Sequence, residues 1–252
     1  MLFAHGYGCD QSMWRMVAPA FEADYRVVLF DLAGSGQAEP LAYDRVRHSS
    51  LLGYAEDIIT IIRELDLKNV VFVGHSVSAM IGALASLLRP DRFERLIMIG
   101  PSPCYVNDEN YIGGFAREDI DGLIEAVDSN YLGWASSMAP VIMGTPDRPE
   151  LVDELRNSFC RTHPEIARAF AKVTFLSDNR ADLARVRTRS LVLQVKDDVI
   201  APASVGQFVH KHLSDSELVT LDTRGHCPHL SAPEQTVAAM RSFLQPERRD
   251  GH

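Results

Sequence analysis

Four apolar residues at 70–73, VVFV, run directly into Gly74-His75-Ser76-Val77-Ser78 and then into a stretch with helical spacing. An uninterrupted apolar run of this length reads as a strand buried on both faces, the kind found in parallel sheets covered by helices. The flanking sequence keeps the same rhythm. Residues 26–32 (RVVLFDL) are a short β-branched run, and 52–65 show helical spacing through Leu52, Ala55, Ile58, Ile59, Ile62 and Leu65. Residues 79–88 read as helix and 96–99 (LIMI) as another buried strand. The expected class is α/β, with a mainly parallel sheet and helices on both faces.

The alternation stops near Asn107 and resumes near residue 188. Between them helices are expected over 117–129, 131–139, 149–162 and 164–176, with Pro149 and Pro164 at helix starts, where a proline is tolerated. Strand 190–195 (SLVLQV), helix 204–212, strand 217–221 (ELVTL) and helix 233–244 then follow. The chain thus reads as one α/β core, 1–107 and 188–246, interrupted by a helical cap, 108–187, and ending in a loose charged tail, 247–252.

Composition narrows the partners. With 252 residues, 46% hydrophobic and 23% charged, the chain has the make-up of a folded domain rather than a disordered one. Its 25 basic and 34 acidic side chains leave a net charge of −9, which opposes a general affinity for nucleic acid or an anionic membrane. Cys9, Cys104, Cys160 and Cys227 lie far apart with no CxxC pair, so no disulfide framework and no metal site are expected. No apolar run reaches membrane-spanning length, and no basic leader follows Met1. A reducing, cytoplasmic setting is expected. Asp31-Leu32-Ala33-Gly34-Ser35-Gly36 follows a strand but lacks the phosphate-loop pattern, so it reads as a structural turn and no cofactor is assigned.

The turn at 74–78 has the strand–turn–helix context of a nucleophile elbow, G-x-S-x-G, with Ser78 in place of the last glycine. Serine needs a general base held by a third group, and in this arrangement an acid and then a histidine should follow late strands. Strand 190–195 runs into Lys196-Asp197-Asp198, and strand 217–221 into Asp222-Thr223-Arg224-Gly225-His226. Asp198 is the favoured acid, with Asp197 read as a solvated turn residue. His226 is the favoured base, with His229 read as a turn or core histidine. His75 should pack within the elbow, and His48, His163, His210, His212 and His252 read as surface residues. Developing negative charge needs backbone donors, assigned to the amides of Val77 and of Tyr7 in His5-Gly6-Tyr7-Gly8.

With these residues in place the sequence resembles the α/β-hydrolase superfamily, and within it the RsbQ-like group that includes the plant karrikin and strigolactone receptors. The similar stretches are HGYGCDQSMW (5–14), FDLAGSG (30–36), GHSVSAMIG (74–82), IGPSPCYVND (99–108), SNYLGWASSMAP (129–140), KDDVIAPASVGQF (196–208) and GHCPHLSAP (225–233). The resemblance implies a four-helix cap over a deep apolar pocket, with walls at Tyr7, Tyr111, Trp134, Met138, Phe159, Phe175 and Val199. Members of the superfamily usually carry two further strands ahead of the HG motif. The chain begins inside the third, so strand 26–32 is expected to be an unprotected sheet edge.

Two functions follow as expectations. One is a serine hydrolase acting on a small, largely apolar carboxylic ester or lactone. The alternative is an RsbQ-like signalling protein that binds or slowly hydrolyses a small hydrophobic ligand and regulates a stress-response phosphatase. A dehalogenase would want a carboxylate nucleophile at position 76, so the serine argues against that chemistry.

Overall fold

The computed structural model describes residues 1–245; the tail expected at 247–252 lies outside them. Six strands form one sheet: β1 (Leu2–Ala4), β2 (Val28–Leu29), β3 (Val70–His75), β4 (Phe93–Ile99), β5 (Ser190–Asp197) and β6 (Ser216–Arg224). Their order is β2-β1-β3-β4-β5-β6 and every pairing is parallel. All carboxyl ends therefore open on one rim. The register places Ala4 beside Gly74, His75 beside Ile99 and Asp197 beside Arg224. The segments that follow β1, β3, β5 and β6 consequently converge.

Helices cover both faces. The first is α1 (Leu51–Glu64), whose Leu51, Tyr54, Ala55, Ile58 and Ile62 are buried at the three- and four-residue spacing of one helical face. The second, α2 (Val77–Leu88), is buried almost all round because it follows the central β3. Two apolar clusters flank the sheet, one including Tyr54 and Phe72, the other Phe3, Trp14, Phe21 and Phe243.

The chain then leaves the sheet for three long helices: α3 (Arg117–Met143), α4 (Pro149–Arg161) and α5 (Pro164–Phe175). α3 packs on both of the others. It is two segments joined at Asn130, whose φ of −153° and ψ of 80° break the helix. The Asn130 Oδ1 accepts the Gly133 N–H at 3.0 Å, the bond of a helix cap, which explains the break expected between 129 and 131. Four elements complete the fold: α6 (Arg180–Leu183), α7 (Ala203–His212), α8 (Pro228–Ser231) and α9 (Pro233–Leu244). Among the described residues no helix is long and apolar enough to cross a membrane.

Two expectations are corrected. Only Val28–Leu29 of the 26–32 run is paired, because its single neighbour is the three-residue β1. His48 is buried rather than on the surface. A short turn before α1 folds its ring against Tyr43 and Tyr54, and its Nε2 meets the Asp57 carboxylate at 2.8 Å.

Candidate active site

Ser76 joins β3 to α2 with φ 57° and ψ −124°, left-handed territory that a non-glycine residue occupies only under strain. The strained turn is held from both sides. The Ser76 N–H donates to the Ile99 carbonyl at 2.8 Å, and the Ser76 carbonyl accepts from the Ala79 N–H at 2.9 Å. This throws the hydroxyl beyond the sheet, at the N-terminus of α2, where the helix dipole favours negative charge.

His226 arrives from the other side of the rim. Its own N–H donates to the Ile142 carbonyl at 2.7 Å, so the end of α3 sets its height. Gly225 precedes it with φ +83°, and a Cβ there would lie 2.0 Å from the Met143 carbonyl oxygen; no side chain fits. His75, as expected, packs in the elbow, and its Nε2–H donates to the His226 carbonyl at 2.7 Å.

The three chosen side chains meet. The Ser76 hydroxyl donates to His226 Nε2 at 2.8 Å, and His226 Nδ1–H donates to Asp198 Oδ2 at 2.7 Å. Asp198 Oδ1 is occupied separately, accepting the N–H groups of Ile200 at 2.8 Å and Ala201 at 3.1 Å. The carboxylate is therefore locked in plane and fixes the imidazole tautomer that leaves Nε2 free to accept. All three residues are at most 7% exposed. Asp197 is exposed and its carbonyl accepts the Gly225 N–H.

The loop after β1 lies directly over the nucleophile candidate. A Cβ on Gly6 would be 2.6 Å from His75 Nδ1 and 3.3 Å from Ser76 Cβ, so only glycine allows this approach. Among the described residues, neither the Tyr7 nor the Val77 amide has an acceptor within the protein.

A cavity of about 40 Å³ adjoins Ser76 and His226. Of the expected wall residues, Tyr7, Trp134, Met138, Phe159 and Phe175 line it. Tyr111 and Val199 do not. The 108–111 turn folds the Tyr111 ring against Phe208 on α7, with its hydroxyl donating to the Cys104 carbonyl at 2.7 Å. Val199 points outward, 51% exposed, because Asp198 and Ile200 on either side turn inward. Tyr105, Leu123, Ile142, Leu155, Thr174 and Ile200 also line the cavity. Tyr105 stands within the IGPSPCYVND stretch, which was the available signal for it. The inward faces of α3 and α4 gave none for the leucines and Ile142. A wider groove of about 780 Å³, between α1, α2 and α5, holds none of the bonded three.

Burial sets the remaining chemistry. Cys9 and Cys227 also border the cavity, but burial pushes both thiols up, so they stay protonated and weakly nucleophilic. Burial likewise pushes the Tyr105 phenol up to about 12, so it stays neutral. His229 is a core histidine, brought down to about 3 by burial and then by His226. Burial also lowers His75 and His5.

These three histidines carry a prediction. They are neutral in the fold, whereas an unfolded histidine takes up a proton below about pH 6.5. The unfolded chain thus binds more protons, and stability is full above that pH and falls below it. The slope is up to about 1.4 kcal/mol per pH unit for each histidine. Urea unfolding at pH 7, 6 and 5 should show a falling free energy; a flat profile would refute it.

Comparison with known proteins identifies the family. The model described as the alpha/beta hydrolase family matches residues 1–239. The chain is 41% identical over 245 residues to a strigolactone esterase of Arabidopsis thaliana, covering 97% of this chain and 91% of that protein. It is 38% identical over 241 residues to the karrikin insensitive 2 receptor IA of Petunia hybrida, covering 95% and 88%. The solved structure of a hydrolase from Oleispira antarctica superposes with a TM-score of 0.93 at 42% identity, over 96% of this chain and 89% of that one. The chain belongs to the alpha/beta hydrolase family.

Proposed function

We propose that the chain is a serine hydrolase that cleaves a small, largely apolar carboxylic ester or lactone. The observation that carries this reading is the unbroken line of hydrogen bonds from Ser76 through His226 to Asp198 at the wall of an apolar cavity. Ser76 Oγ attacks the carbonyl carbon while its proton passes to His226 Nε2, and Asp198 stabilises the imidazolium. The negative charge on the former carbonyl oxygen faces the Tyr7 and Val77 amides. Collapse expels the alkoxide, which takes the proton from Nε2 and leaves an acyl group on Ser76. Water then attacks that ester, gives its proton to His226, and the carboxylic acid departs as Ser76 regains its hydrogen.

The lining chemistry supports an apolar substrate: Trp134, Phe159, Phe175 and Leu155 offer no charge. A space of about 40 Å³ is far below the several hundred that ligand pockets usually provide. Substrate entry therefore requires the side chains that α3, α4 and α5 place along the cavity to give way.

A second reading rests on the relatives. Esterases and receptors match the chain with nearly equal identity, 41% and 38%. In that reading the same site binds or slowly cleaves a small ligand, and movement of the helices over it is passed to a protein partner, such as a stress-response phosphatase.

One experiment tests the proposal. A fluorophosphonate probe should label the native protein once per chain, at Ser76 by mass-spectrometric mapping, and the labelled protein should no longer hydrolyse an aryl ester. Labelling elsewhere, or hydrolysis that persists after full labelling, would sink it. Labelling at Ser76 with negligible turnover across an ester and lactone panel selects the second reading.

A further inference from the structure

Ser78 occupies the place that G-x-S-x-G gives to glycine, and a small side chain is all the elbow demands there. The structure uses it for more. Ser78 is fully buried at the second position of α2, and its hydroxyl donates to the His5 carbonyl at 2.5 Å, across 73 residues of sequence. A helical serine ordinarily bonds a carbonyl one turn back. Ser86, on the same helix, does so, donating to the Ala83 carbonyl at 2.7 Å. Ser78 instead reaches out of its helix to the end of β1.

The two segments joined by this bond are those that carry the amides facing the reacting carbonyl. Val77 is the residue before Ser78, and Tyr7 is two residues after His5. β1 itself pairs with β3 only as far as Ala4 beside Gly74, and past that point the loop's other bonds do not reach the elbow. His5 Nε2 accepts the Leu32 N–H at 3.0 Å, the Cys9 N–H donates to the Gly6 carbonyl at 3.2 Å, and the Tyr7 hydroxyl donates to Ala167 on α5 at 3.0 Å. The last ties the loop to α5, whose Thr174 and Phe175 line the cavity, so any displacement of that helix by substrate would pull on the loop. Without a tie to the elbow, the Tyr7 amide would follow that helix.

We propose that Ser78 is a positioning residue, holding the Tyr7 amide in register with the Val77 amide while the helices above open and close. The proposal rests on Ser76 acting as the nucleophile. Two donors stabilise an oxyanion fully only when both stay within hydrogen-bond distance of it, so a loop displaced by a fraction of an ångström costs turnover, not substrate binding.

The test compares Ser78→Ala with the parent on p-nitrophenyl acetate, at concentrations corrected by fluorophosphonate titration of Ser76. kcat should fall about 10- to 100-fold, somewhat less than deletion of a whole oxyanion donor, with KM within threefold. Affinity for a trifluoromethyl ketone, whose adduct with Ser76 carries the same negative oxygen, should fall by the same factor as kcat/KM. A melting curve confirms that the variant is folded. If it is not, Ser78→Cys, close in volume but a weak donor, carries the same comparison. A variant with kcat within twofold of the parent, or one whose loss lies wholly in KM, overturns the proposal. A Ser76→Ala protein as active as the parent would instead overturn the nucleophile assignment on which it rests.

Discussion

Ser76→Ala should lower kcat for an aryl ester by about 10⁶-fold, because without the nucleophile the base and the acid behind it have nothing to activate, so their contribution is lost with it. His226 Nε2 then has no hydroxyl to deprotonate, and the imidazole only borders the cavity. The substitution removes a single oxygen from a buried site and disturbs none of the main-chain bonds that hold the elbow. Alanine also tolerates the strained φ of 57° no worse than serine does. The melting temperature should therefore stay within a few degrees of the parent. What remains is the effect of the Tyr7 and Val77 amides on water attack, which is small beside the intact site. Initial rates at protein concentrations fixed by absorbance, with the fluorophosphonate added to silence any trace of parent enzyme, check this. A residual rate above one-hundredth of the parent means another group is the nucleophile.

Asp198→Asn should lower kcat by about 10⁴-fold, the size of loss found when a triad carboxylate becomes an amide and the imidazole adopts the wrong tautomer. The structure supplies the reason here. Oδ1 is pinned by two N–H donors, from Ile200 and Ala201, so the amide must keep its oxygen there and turn its NH₂ towards His226. Nδ1 then accepts, Nε2 carries the hydrogen, and Ser76 loses its base. Asp197→Asn, one residue away and exposed, should leave kcat within twofold. A pH–rate profile of both variants separates tautomer loss from misfolding. Equal effects from the two substitutions would mean that the buried carboxylate has no special part.

Serine at position 78 illustrates where sequence reading stopped. As a letter it is a small departure from glycine, and smallness was all that could be argued. Its bond to His5 requires β1 and β3 to be neighbours, which follows from the strand order and not from any local pattern. His48 failed for a similar reason. Nothing around it is apolar enough to announce burial, yet Tyr43 and Tyr54 enclose it once α1 is docked. Tyr111 and Val199 share that lesson, since a turn decides which way a side chain points and both turned away from the cavity.

The order of strands and helices, the break at Asn130, and the convergence of Ser76, Asp198 and His226 on one rim were all legible in the sequence. Each is written in local terms: apolar runs, helical periodicity, a strand–turn–helix spacing, and acids and histidines placed just after strands. Tertiary structure alone decided which aromatic rings face Ser76, how little space lies beside it, and what holds the loop above it. Those properties depend on contacts between segments far apart in the chain, where a side chain's partner is set by packing and its own neighbours carry no record of it.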